Sequence, residues 1–199
     1  MGLGFLFAVA FSATYISKYN YLLTGISNIY LTGHTTAYLT DYQKFPNDSV
    51  LAPNQFQPWP LHKQYNQLPT SKTLEDYHVD RKSVAYLVIK NDSILYEKYY
   101  DGYGADFKSN SFSVAKSVVS ALMGIAIQEG TINSLDQKVV DFITNLKGPY
   151  ADEVTVGDLS SMASGQKWNE EYYNPFSVTS ASYFVKDLDA LILDQPIDE

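Results

Sequence analysis

The stretch that most constrains the fold runs from Asn110 to Gly130, NSFSVAKSVVSALMGIAIQEG. Val114, Val118, Leu122 and Ile125 recur at helical spacing and predict an apolar stripe on one buried helix. Ser111 is placed to cap its start, and Glu129 and Gly130 to close its end. Ser113 and Lys116 stand three residues apart and so share a face. Ser117, Ser120 and Gly124 follow on that face, small enough to admit a closely packed neighbour.

A serine hydroxyl is a weak nucleophile until a neighbouring base takes its proton. Lysine serves when burial or a second cation disfavours its charged form. A helix start adds partial positive charge and free backbone N–H groups, which favour an oxyanion beside Ser113. The plainer alternative is a buried helix that happens to carry both residues. Ser-x-x-Lys by itself is a weak signal, expected about once by chance in a chain of this length. Its surroundings strengthen it: a hairpin before, an apolar helix closed by glycine, and a matching segment downstream.

Composition narrows the function classes. A net charge of -8 argues against nucleic-acid binding and against adhesion to anionic lipid. With no cysteine, disulfides, thiolate catalysis and cysteine-ligated metals are excluded. The three histidines, His34, His62 and His78, lack metal-ligand spacing, so neither a metal nor another cofactor is expected. No Gly-x-Ser-x-Gly elbow occurs, which counts against a Ser-His-Asp hydrolase.

Three regions are expected. Residues 1–17 hold no charge, and Leu3 to Ala10 is almost continuously apolar, as in a signal peptide or short membrane anchor. A buried N-terminal helix is the alternative. Residues 18–82 are polar, Tyr-containing and punctuated by Pro46, Pro53, Pro58, Pro60 and Pro69, and read as an extended arm. Residues 83–199 carry the main pattern. There, Val84–Ile89 and Ile94–Tyr100 flank Asn91-Asp92 as a β-hairpin whose first strand, apolar on both faces, belongs inside a covered sheet. Ser134-Leu135-Asp136 predicts a short helix carrying Val139, Val140 and Ile143. Thr155-Val156-Gly157-Asp158 predicts a capping box for a helix ending near Ser164-Gly165, and residues 178–193 read as one helix.

In this order the pieces resemble the serine β-lactamase-related hydrolases, in particular the class C-like branch with esterases and 6-aminohexanoate-dimer hydrolases. YLVIKND at 86–92, SFSVAKS at 111–117, QEG at 128–130, TVGDL at 155–159 and SGQKWNE at 164–170 carry the likeness, which spans about residues 80 to 195. The resemblance implies an α+β fold, an α/β/α sandwich of the β-lactamase/DD-peptidase kind, with an antiparallel sheet flanked by helices and a further helical region. It implies an acyl-enzyme on Ser113, activated by Lys116, on a small-molecule ester or amide. It also implies that Tyr172, in the loop after Trp168, lines the substrate site; a packed loop aromatic is the alternative.

The family also uses a tyrosine or serine beside the lysine, and a late sheet strand with a Lys-Thr-Gly or His-x-Gly type motif. Tyr172-Tyr173-Asn174 matches Tyr-x-Asn literally, yet falls early and reads as the substrate loop. The late motif is absent, so the chain is expected to be the N-terminal part of a longer enzyme, incomplete at its C-terminus. An extracytoplasmic placement, released or tethered through the N-terminus, is expected. Substrate identity and oligomeric state are left open. A catalytically inactive fold, either a truncated pseudoenzyme or a binding module, is the second reading.

Overall fold

The computed structural model describes residues 11–12, 14–15, 17–34, 36–55 and 57–198. Most of the expected signal peptide or anchor therefore lies outside the described residues. Among those described, no helix is long and apolar enough to cross a membrane. The fold class is α+β: short helices with a two-stranded antiparallel sheet. The chain forms two compact units. Tyr42–Asn110 makes one, and Ser111–Glu199 with the segment up to Asp41 makes the other.

The Tyr42–Asn110 unit is built around the hairpin. Strands β1 (Ala85–Lys90) and β2 (Ser93–Tyr99) pair antiparallel, with Lys90 opposite Ser93 and Ala85 opposite Tyr99. Asn91 and Asp92 take φ of +49° and +54°, the left-handed pair that a two-residue hairpin turn of matching twist requires. Residues 60–66 run along the free edge of β2, with Ile94 N–H donating to Pro60 O at 2.9 Å and His62 N–H to Ile94 O at 2.9 Å.

A helix of the proline-rich arm, Lys72–Asp80, is also part of this unit. Ser71 caps it, its hydroxyl accepting from Leu74 N–H. The ring of His78 packs 4.5 Å from that of Tyr86 and 5.4 Å from that of Tyr100. Glu75 pairs with Lys98 at 2.5 Å. One face of the hairpin is covered in this way. The other is not: Leu87 is 44% and Ile89 50% exposed. The expectation that β1 lies inside a doubly covered sheet is corrected, because no described element of this unit packs on its second face.

In the other unit a small core gathers Val139, Ala151, Val154 and Ile197, with Leu146 against it. Backbone hydrogen bonds join distant parts of the sequence around it, Val139 N–H to Val154 O at 2.9 Å and Ile197 N–H to Lys147 O at 2.8 Å. Gly148 sits at φ +108°, and a Cβ there would lie 2.2 Å from Ile197 O, so glycine is what admits the segment crossing at Ile197. The capping box at Thr155 and Asp158 forms as expected.

Three local expectations change. Residues 139–141 form a single 3-10 turn rather than a helix, because Lys138 bridges to Thr155 and draws the chain into that pairing. The helix opened by the capping box, Val156–Ser160, ends well before Gly165. Residues 178–193 split into Val178–Ser182 and Leu188–Leu193: Ser177 caps the first, and Asp187, inside the pattern, accepts from the N–H of Ala190 and starts the second. The arm also carries a helix in this unit, Tyr21–Asn28, where an extended segment was expected.

Candidate functional site

Below, α1 is Tyr21–Asn28, α2 is Lys72–Asp80 and α3 is Ala115–Gln128. Helix α3 begins after one 3-10 turn, Phe112–Val114, and the serine lies in that turn. Ser111 does not cap it with its side chain, a correction to the expected start. The end forms as expected. Gly130, at φ +78°, lets its own N–H reach Ile127 O at 3.1 Å and that of Thr131 reach Ala126 O at 2.9 Å. These are the two hydrogen bonds of a Schellman motif, and they satisfy carbonyls that the helix leaves free.

The turn places the two expected catalytic side chains together. Lys116 Nζ donates to Ser113 Oγ at 3.2 Å. Among the described residues, Lys116 makes no ion pair with a carboxylate, whereas Lys98 and Lys147 do. Phe112, immediately before the serine, holds φ at +45°. For a bulky residue such backbone costs about 1–3 kcal/mol and persists only where surrounding structure imposes it.

The expected burial of α3 is not seen. No residue of the helix is buried, and Val118, Val119, Leu122 and Ile125 are 48–63% exposed. A hydrophobic stripe identifies the face that gains from cover. Cover needs a second apolar face on top of it, and none of the described elements of this unit supplies one.

Tyr172 is placed at a different part of the same unit. Its hydroxyl donates to Glu170 Oε1 at 2.9 Å. That hydrogen bond, with desolvation and the Glu170 charge adding to it, raises the phenol above the usual tyrosine range. The loop around it is held from inside. Trp168 Nε1–H donates to Thr179 Oγ1 at 2.9 Å, and the Thr179 hydroxyl donates in turn to Asn169 O at 2.9 Å. Tyr172 and Phe112 line one cavity of about 620 Å³, so the loop and the turn that carries Ser113 meet there.

Its opposite wall is α1, which sequence reading missed. Tyr21 donates its hydroxyl to Pro175 O at 2.9 Å. Gly25 lies against the ring of Phe184, where a Cβ would come within 3.2 Å of the nearest ring carbon. A signal was present: Tyr21, Gly25 and Ile29 repeat every four residues, and Leu22 and Ile26 do the same beside them. The prolines further along the arm masked it. His34, also in the arm, stacks on Tyr38 with ring centroids 4.0 Å apart. Among the described residues no cluster of potential metal ligands occurs.

Comparison with known proteins places these pieces. The family model described as Beta-lactamase matches residues 71–198. The 6-aminohexanoate-dimer hydrolase of Paenarthrobacter ureafaciens is 31% identical over 93 residues, 47% of this chain and 24% of that protein. The aligned stretch thus spans about a quarter of that relative's length.

Proposed function

The chain belongs to the serine β-lactamase-related hydrolase family, and from that premise we propose that Ser113 is the nucleophile of a hydrolase acting on esters or amides. The observation that carries the reading is the 3.2 Å approach of Lys116 Nζ to Ser113 Oγ at the start of α3. A nucleophile and base need such proximity before any pKa matters.

The chemistry then follows in two halves. Ser113 Oγ attacks the carbonyl carbon as its proton passes to Lys116 in the neutral form. The developing oxyanion is met by the backbone N–H of Ser113, at the positive end of α3. When the carbonyl re-forms, the bond to the alcohol or amine breaks and Lys116 returns the proton to the leaving group. Water repeats the sequence on the acyl-enzyme and frees Ser113. Tyr172 contributes as a wall of the substrate site.

Exposure to an ethyl fluorophosphonate followed by peptide mass spectrometry tests the reading. An adduct on Ser113 is expected, absent from Ser113→Ala and slowed on the order of 10³-fold in Lys116→Ala. Labelling elsewhere, or undiminished hydrolysis by Ser113→Ala, rejects it. The uncovered apolar face of α3 favours a second reading, a fold that binds without turnover. That reading predicts no Ser113 adduct at all. The apolar run at residues 1–17 supports an extracytoplasmic setting for either, and fractionation of tagged protein tests it.

A further inference from the structure

The cavity beside Tyr172 has a chemistry of its own. Its volume of about 620 Å³ is that of a small-molecule site. None of its lining residues carries a charge, in a chain with 14 Lys and Arg and 22 Asp and Glu. Several polar side chains on its walls are already engaged within the protein. Tyr21 donates to Pro175 O, Tyr172 to Glu170 and Ser180 to Asn174 O, while Thr179 both accepts from Trp168 and donates to Asn169 O. A ligand therefore meets mainly carbon: Leu22, Ile26 and Ile29 of the α1 side, facing Phe112, Tyr172 and Phe184.

The position is as telling as the lining. Phe112 lines the cavity and directly precedes Ser113, which is not itself a lining residue; adjacent Cα atoms are about 3.8 Å apart, so the cavity wall and the nucleophile belong to the same turn. One wall, α1, lies outside the stretch that matches the family model. We propose that this groove receives an uncharged apolar group of the substrate, a medium-length alkyl chain or an aryl ring, and that α1 selects it. The proposal rests on Ser113 being the nucleophile.

A paired-probe experiment separates the two claims. Ethyl and octyl fluorophosphonates differ only in the chain offered to the groove. With either, the Ser113 Oγ–phosphorus bond forms, the phosphorus–fluorine bond breaks, fluoride leaves and the hydroxyl proton passes to Lys116. The octyl probe is expected to label Ser113 at least about tenfold faster, since several buried methylenes contribute. That ratio is expected to fall towards one in Ile26→Glu, which puts a charge in the groove, and in Ile26→Trp, which fills it. Ile26 is 47% exposed, so the folded chain tolerates both, and circular dichroism verifies it.

Labelling of Ser113 without chain-length preference, or with a preference that both variants keep, overturns the groove and leaves the nucleophile standing. No labelling by either probe overturns the nucleophile instead. The groove is then judged by binding of the uncharged dye N-phenyl-1-naphthylamine. Saturable fluorescence lost in both Ile26 variants supports an apolar site, and fluorescence that is absent or unchanged by them overturns it.

Discussion

Lys98 and Lys116 show how surroundings assign work to the same side chain. Lys98 lies 2.5 Å from Glu75 and 5.1 Å from the centre of the Tyr100 ring, so its charge is engaged on two sides. Its hydrogen bond to Glu75 raises its pKa, and the same bond, first among several causes that include the hydroxyl of Thr70, lowers that of Glu75. The sign of each contribution follows. Stability from the depressed Glu75 is present above its unfolded pKa and is lost as pH falls through the folded one. Stability from the raised Lys98 is present below its unfolded pKa and is lost as pH rises through the folded one. The pair therefore supports the fold throughout the neutral range. In Glu75→Gln, the acid limb of a stability-against-pH curve is expected to flatten; an unchanged limb would assign it to other carboxylates. Tyr99 behaves differently. Its hydroxyl donates to Glu97, the largest cause of a phenol pushed up to about 12. Glu97→Gln is expected to bring that ionisation back towards the ordinary tyrosine value in an NMR titration. Lys116 has a hydroxyl where Lys98 has a carboxylate, which is why the proposal gives it the proton of Ser113.

Elements were legible in the sequence where their signals are local. The Asn91-Asp92 turn, the Gly130 stop and the Thr155–Asp158 box each depend on a few adjacent residues, and all three form. Thr155→Ala removes the hydroxyl that accepts from Asp158 N–H at 3.1 Å, and is expected to cost about 1 kcal/mol in chemical denaturation. The carboxylate of Asp158, held low first by its hydrogen bond to the Thr155 hydroxyl and then by that to its N–H, contributes stability that is lost as pH falls through its folded pKa. No loss of stability in Thr155→Ala would mean that the helix is held by packing alone. Longer-range features were harder to read. Residues 178–193 carry a helical pattern, yet Asp187 starts a second helix within it, and a cap inside a pattern is ambiguous until the chain's path is known. Helix α1 was hidden by the prolines that follow it. The pairing of Lys116 with Ser113 was legible from spacing alone, because one helical turn fixes it. The groove was not, since α1 and the Tyr172 loop are about 150 residues apart in sequence and meet only in the fold.

Burial is the property that periodicity could not supply, and it sets the behaviour of the whole chain. A stripe such as Val118, Leu122 and Ile125 records which face prefers cover, while cover itself depends on another surface. In the structure Leu87 and Ile89 of the hairpin are exposed in one unit, and Val114 of the 3-10 turn with Val118, Val119, Leu122 and Ile125 of α3 in the other. Among the described residues, no large side chain is fully buried. Contiguous exposed apolar surface of this kind binds hydrophobic dyes and promotes association, against which a net charge of -8 works. The α3 face offers a direct test. Buried Val or Leu exchanged for lysine leaves an unpaired charge in the core and destabilises by several kcal/mol. Exposed positions tolerate the same change within about 0.5 kcal/mol. Val118→Lys with Leu122→Lys is therefore expected to leave the unfolding free energy of the chain nearly unchanged. The same double variant should lower the fluorescence of bound 8-anilinonaphthalene-1-sulfonate per protein, even though two added cations favour the anionic dye. A loss of several kcal/mol on substitution would show that these side chains are packed in solution, and would return α3 to the buried helix its sequence predicts.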